Sequence, residues 1–297
     1  MTDIRTRTLQ ANGLEFVIDE AGEGDSVALC LHGFPESRHA WRHQLPLLAK
    51  LGWRAVAPDQ RGYGDSSRPK GVSAYQVDNL AADAAAMFDA LGAKRRLLIA
   101  HDWGALVAWV LAMEKLQPLD GLVIMNVPHP AVFQQALRGN RAQLKRSWYV
   151  FFFQIPFLPE AVLTARGAEA VGKAFSEMAV DKSRFTPADL DHYRSNALKP
   201  GAMTAMINWY RANFGGALAR WGPGKAPMIE TPTLMVWGEE DSALGLELTE
   251  GYGPYVRDFT LNRLPGVSHW VQQEAPEAVN ARLEAWMRSR GLVDPGP

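Results

Sequence analysis

Leu97-Leu98-Ile99-Ala100-His101-Asp102-Trp103-Gly104 is the stretch whose reading decides the fold. Its four apolar residues have the length and composition of a buried strand, and they stop at a polar pair, with helix formers following from Ala105 to Lys115. A strand turns into a helix here with Ala100 before and Gly104 after the polar side chains. That is the shape of a nucleophile elbow, in which small neighbours permit a strained turn that lifts one side chain above a sheet. The usual occupant is serine, and here it is Asp102. A serine needs a base to remove its proton before it attacks. A carboxylate is already ionised and can attack a saturated carbon, leaving an ester on the protein. The competing reading is Asp102 as a plain helix N-cap, because Asp is a preferred cap.

The same rhythm extends on both sides of the elbow. Val27–Leu31 stops at His32-Gly33, Arg54–Ala57 at Pro58-Asp59, and Leu122–Met125 at Asn126. Helix formers fill Ala40–Lys50 and Val77–Leu91 between them. This alternation predicts βαβ units around a mostly parallel sheet with helices on both faces. From Pro128 to about Gly224 strand runs disappear, and Pro or Gly punctuation at Pro156, Pro159, Gly167, Pro187 and Pro200-Gly201 breaks the segment into helices. Strands resume at Thr233–Trp237 and, weakly, Asp258–Leu264, with a last amphipathic helix near Pro276–Arg290. The expected division is a core over 1–129, a helical cap over 130–224, and the rest of the core over 225–297.

Composition bounds the chemistry. The 297 residues carry 31 Lys+Arg against 32 Asp+Glu, for a net charge of -1. That balance argues against a nucleic-acid binder, which needs clustered surplus cations. One cysteine, Cys30, forbids an internal disulfide framework and thiolate metal clusters. No apolar run approaches the ~20 residues of a membrane helix, and the N-terminal MTDIRTRTLQ has no secretory apolar core. The expectation is a cytoplasmic protein acting on a small molecule, with monomer and homodimer both open.

Other strand ends supply partners for Asp102. His32-Gly33-Phe34-Pro35 follows the Val27–Leu31 strand and suits a loop whose backbone N–H groups point into a site. The N–H groups of Phe34 and Trp103 would then form an oxyanion hole. Trp237-Gly238-Glu239-Glu240-Asp241 ends another strand, and Asp241 is the best acid to orient a histidine. A solvated acidic loop is the plain alternative. His269, in Gly266–Trp270, stands just before the final helix. In chain order Asp102, Asp241 and His269 match nucleophile, acid and base for such a sheet.

These motifs resemble those of the α/β-hydrolase fold, and specifically of the soluble epoxide hydrolases. His32–Ser37 is similar to the oxyanion loop, Asp59–Ser67 to the glycine-rich loop, His101–Gly104 to the nucleophile motif and Gly266–Trp270 to the histidine motif. Within the cap, Trp148–Gln154 and Asn208–Arg211 look like the two segments that carry the family's epoxide-holding tyrosines, which implies Tyr149 and Tyr210. The resemblance implies Trp103, Phe34, Phe152 and Trp209 against the substrate, and a cavity rendered apolar by residues such as Phe151, Phe153, Phe157 and Leu158. It implies an apolar epoxide and water as reactants, with no cofactor and no metal. The absence of a Gly-x-Gly-x-x-Gly loop and of His/Cys ligand spacing agrees. Haloalkane dehalogenases share the core motifs and remain the alternative, with a non-catalytic binding protein of the same fold behind them.

Overall fold

The computed structural model describes residues 3–293. Its eight strands are β1 (Arg5–Ala11), β2 (Leu14–Ala21), β3 (Ser26–Leu31), β4 (Arg54–Pro58), β5 (Arg95–His101), β6 (Gly121–Met125), β7 (Thr233–Gly238) and β8 (Phe259–Leu264). They form one sheet in the order β1-β2-β4-β3-β5-β6-β7-β8. Strands β4, β3, β5, β6, β7 and β8 run parallel, while β1 and β2 are antiparallel to their neighbours.

The parallel strands read as unbroken apolar runs because both of their faces are buried. Period-two alternation sorts each strand between two cores. Leu29, Leu98, Ile124 and Met235 face one core, whereas Cys30, Ile99, Val123 and Val236 face the other. Helices α2 (Val77–Ala90) and α3 (Asp102–Met113) cover the first face. Helices α1 (Gln44–Lys50) and, at the chain's end, Pro276–Ser289 cover the second.

The N-terminal hairpin lies outside the expected pattern. β1 and β2 turn at Asn12-Gly13, both at positive φ (48° and 70°), the conformation a two-residue hairpin favours. The first helix is also shorter than the Ala40–Lys50 stretch suggested, because a 3₁₀ turn occupies Arg38–Trp41. Helix α3 instead starts three residues earlier than Ala105, since the elbow passes straight into it.

Between β6 and β7 the chain is helical: α4 (Pro130–Gly139), α5 (Arg141–Arg146), α6 (Trp148–Phe152), α7 (Leu158–Met178), α8 (Pro187–Ala197) and α9 (Ala202–Ala212). Helix α7 is broken at Ala165–Ala168, where three successive residues take positive φ. Short α10 (Val271–Glu274) and α11 (Pro276–Ser289) close the fold. No helix among the described residues is long and apolar enough to cross a membrane. The helical segment lies over the carboxyl edge of the sheet, where α/β folds bind ligands.

Candidate active site

Asp102 occupies the turn from β5 to α3 with φ 47°, a left-handed conformation that a non-glycine residue adopts only when its surroundings hold it there. Two glycines make room for it. A Cβ on Gly104 would stand 2.4 Å from the Leu31 carbonyl oxygen, and one on Gly33 would stand 2.2 Å from the Asp102 Cβ. The close approach of Gly33 brings the oxyanion loop to the carboxylate, and Phe34 N–H donates to Asp102 Oδ1 over 2.7 Å. Trp103 N–H belongs to the first turn of α3, whose N–H groups lack intrahelical acceptors and favour an anion.

Behind this loop lies a network that sequence reasoning did not reach. Glu36 is fully buried, accepting from Gly33 N–H (2.7 Å) and from the side-chain amides of Gln272 and Gln273 (2.8 Å each). His101 Nδ1 lies 2.8 Å from Glu36 Oε2, and its Nε2 lies 2.8 Å from the His269 carbonyl oxygen. Burial pushes the Glu36 carboxyl up, but His101 and the Gly33 N–H outweigh it and hold the group below its usual range. Loop, elbow and histidine are thereby tied to one buried carboxylate. His32 braces the same loop: Gln60 N–H donates to its Nε2, so its Nδ1–H is the one that donates to Gly33 O.

His269 follows β8 and precedes α10. Its Nδ1 lies 2.6 Å from Asp241 Oδ2 and its Nε2 lies 3.5 Å from Asp102 Oδ2. A carboxylate can only accept, so the Nδ1 proton points at Asp241 and Nε2 faces the cavity side. Asp241 is the buried member of the acidic triplet; Glu240 is exposed. Its Oδ1 accepts from Ala243 N–H (2.8 Å) and Leu244 N–H (2.9 Å), and Oδ2 also accepts from Asn126 Nδ2 (2.8 Å). Asn126 is a second residue missed from sequence. It stands where β6 ends, again at positive φ, and its Oδ1 accepts from Gly238 N–H.

Electrostatics follow from this packing. Burial lowers the His269 pKa, but Asp241 and Asp102 together overcome it and raise the group to about 10. Burial likewise raises Asp102, yet the His269 hydrogen bond and charge, with Phe34 N–H, keep it below the ordinary carboxylate range. The resting site holds an ionised Asp102 beside a protonated His269.

A cavity of about 420 Å³ opens above Asp102. Tyr149 from α6 and Tyr210 from α9 both line it, their ring centroids 6.0 Å apart. Burial, then the Asp102 charge, drives both phenols far above their ordinary pKa, so they stay protonated; a hydrogen bond from the Trp103 side chain offsets part of this for Tyr210. The remaining walls are chiefly apolar, from Leu106, Val127, Phe133, Leu144, Phe151 and Phe214.

Of the aromatic residues expected against a substrate, Trp103 lines this cavity and three do not. Trp209 is wholly buried, donating from Nε1 to the Arg61 carbonyl. Phe152 packs against Trp148 and Phe153. The Phe34 ring lies edge-on to Phe153 and Tyr210, so its backbone and not its ring reaches the carboxylate. Phe157 and Leu158 are exposed and Phe153 is in the core, which leaves Phe151 as the member of that group on the cavity wall.

Residues 28–276 match a family model described as the alpha/beta hydrolase fold. Mouse "Epoxide hydrolase 4" is 38% identical over 292 residues, covering 96% of this chain and 80% of that protein. An "AB hydrolase superfamily protein" from Bacillus subtilis is 33% identical, covering 98% of this chain and all of that one. Among solved structures, an inhibitor complex of an epoxide hydrolase from Bacillus megaterium superposes with a TM-score of 0.88 at 30% identity, over 95% of this chain and 100% of that chain.

Proposed function

The chain belongs to the epoxide hydrolase family of the α/β-hydrolase fold, and from that premise we propose that it converts apolar epoxides to vicinal diols through an ester on Asp102. The observation that carries this reading is the inequality of the two Asp102 oxygens. Phe34 N–H engages Oδ1, while Oδ2 has no backbone donor among the described residues and lies 3.5 Å from His269 Nε2.

In the first half-reaction Oδ2 attacks a ring carbon in line with its C–O bond. A new C–Oδ2 bond forms, and the electron pair of the broken C–O bond goes to the ring oxygen. An alkoxide is too basic to leave unaided, so the phenols of Tyr149 and Tyr210 donate to that oxygen and one supplies its proton. Their raised pKa values keep both protons in place until they are needed.

The second half-reaction depends on a change of charge. While Asp102 is ionised, it helps hold a proton on His269. Esterification neutralises Asp102 and removes that contribution, so the imidazolium gives up its proton, which returns through solvent to the tyrosinate, and becomes a base. His269 then takes a proton from water, hydroxide adds to Cγ of the ester, and the developing oxyanion on Oδ1 meets the N–H groups of Phe34 and Trp103. Collapse expels the diol oxygen, which takes the proton from His269, and the carboxylic acid left on Asp102 passes its proton to His269, restoring the resting pair. Asp241 orients the imidazole throughout, held in turn by Asn126.

The cavity supports the substrate class. Its ionisable and phenolic groups converge at one end, and apolar walls make up most of the rest, the distribution expected for a lipophilic epoxide.

His269→Gln tests the scheme. This variant alkylates on Asp102 but cannot activate water, so intact-protein mass spectrometry after mixing with styrene oxide shows an adduct of substrate mass. Rapid diol turnover by the variant, or an adduct on another residue, overturns the assignment. Release of bromide from a bromoalkane at a rate matching epoxide opening would favour the dehalogenase reading instead.

A further inference from the structure

We propose that the outer face of the cap from residue 138 to 162 is a docking surface for an anionic lipid membrane, seating the mouth of the cavity against the bilayer. Three independent features of the chain converge there.

Large apolar side chains concentrate on this face. Eight of the thirteen exposed ones among the described residues lie between 144 and 162 or at Phe214. Leu144 on α5, Trp148 and Phe151 on α6, and Ile155 just after α6 are all exposed, so the apolar surface runs across two consecutive short helices and the turn that follows. Buried residues anchor the same segment. Gln143 and Ser147 are buried and bonded to each other, with Gln143 also donating to the Ala243 carbonyl. The apolar surface therefore belongs to a segment fastened to the core, and scattered single residues do not account for it.

Charge complements the apolar surface. From 138 to 162 the cations are Arg138, Arg141, Lys145 and Arg146, against the single carboxylate Glu160. Glu160 is bonded to Arg211, and Arg146 lies by Glu247. Arg138, Arg141 and Lys145 make no ion pair with the described residues. Apolar side chains flanked by unpaired cations are the chemistry that binds an interface rich in anionic lipid.

Exposed apolar surface also continues into the cavity. Leu144, Phe151 and Phe214 are at once exposed and part of its wall, so they mark its mouth. Phe157, five residues after the end of α6, is 84% exposed with φ 64°. Phenylalanine rarely adopts this left-handed conformation, and it persists only where neighbours fix it. Arg211 does so, donating to the carbonyls of Phe153 and Ile155 while pairing with Glu160. The loop thus holds an aromatic ring out into solvent.

The test is co-sedimentation with vesicles of phosphatidylcholine alone and of phosphatidylcholine with phosphatidylglycerol at 7:3. Two double variants, Trp148→Ser/Phe157→Ser and Arg141→Glu/Lys145→Glu, leave the cavity wall and the residues around Asp102 untouched. Unchanged turnover of a short water-soluble epoxide reports that each is folded, so the membrane result stands apart from the catalytic one. The wild-type protein is expected to pellet with the anionic vesicles and to be released by salt. Both variants are expected to bind at least about tenfold more weakly. The proposal is overturned if the wild-type protein stays in solution, binds both vesicle types equally, or is matched by the variants. It is overturned too if Phe157→Ser converts a dimer to a monomer, which would make the face a contact between copies.

Discussion

Phe34 N–H lies 2.7 Å from Asp102 Oδ1, and no backbone donor among the described residues engages Oδ2. This one bond sets apart two oxygens that are chemically identical in a free carboxylate. It also fixes where isotopes go. In a single turnover carried out in water labelled with oxygen-18, the label enters the Asp102 carboxylate, and the first diol carries none. Mass spectrometry of the peptide containing Asp102 reads this directly. Label in the first diol would mean direct attack by water and no ester.

In the proposed reaction the two phenols act on the ring oxygen and not on the ester. Tyr149→Phe and Tyr210→Phe should each slow alkylation by about 10²-fold or more, and the double variant should lose ring opening altogether. Stopped-flow tryptophan fluorescence separates the steps. Hydrolysis of a preformed adduct should be changed far less than its formation. Equal losses in both steps would show that the tyrosines merely shape the cap.

Asp241 keeps the imidazole in one tautomer, and Asn126 keeps Asp241 in place over 2.8 Å. Asn126→Ala removes a donor to a buried carboxylate, a loss of about 1.5–3 kcal/mol, which corresponds to roughly 10–100-fold in rate if felt wholly in the hydrolytic step. The expected signature is slower ester hydrolysis with unchanged alkylation, as for Asp241→Asn. Asn126→Asp should not rescue it, since it places a second negative charge beside the first. An Asn126→Ala protein that hydrolyses its ester at the wild-type rate would show that Asp241 needs no such support.

Protonation of His269 links the site to stability. Its pKa rises from 6.5 to about 10 on folding, because Asp241 and Asp102 outweigh the effect of burial. Between those values the folded chain keeps a proton that the unfolded chain has lost, so stability falls as pH rises. The contribution is complete below pH 6.5 and gone once pH passes about 10. Denaturant melts of the wild type and His269→Gln across this window should converge as pH increases. Parallel curves would place the imidazole in its neutral form.

Much of this was readable because βα folds put their chemistry at strand ends, and strand ends are abrupt in sequence. Asp102, Asp241 and His269 each follow an apolar run, and their order along the chain narrows the assignment further. Residues missed or misplaced were those whose role depends on direction and not on position. Trp209 adjoins Tyr210, but consecutive helical residues diverge by about 100°, so one faces the cavity and the other the core. Phe151 and Phe152 divide in the same way. Glu36 and His101 stood in plain view within the quoted motifs, but their pairing joins two strand ends far apart in sequence. Asn12-Gly13 did carry a local hairpin signal, with Leu9, Ala11, Phe16 and Ile18 alternating inward around it.

β6 and β7 are hydrogen-bonded neighbours, yet every cap helix lies between them in the chain. The cap therefore departs from and returns to adjacent points on one edge of the sheet. The reacting carboxylates, the imidazole and the backbone donors come from the sheet, whereas the two phenols and most of the apolar wall come from the excursion. The cavity is thus assembled from a half borne by the sheet and a half borne by the excursion. Under the proposed mechanism, altering the segment between Asn126 and Thr233 is expected to change which molecules are admitted, while the groups borne by the sheet stay in register.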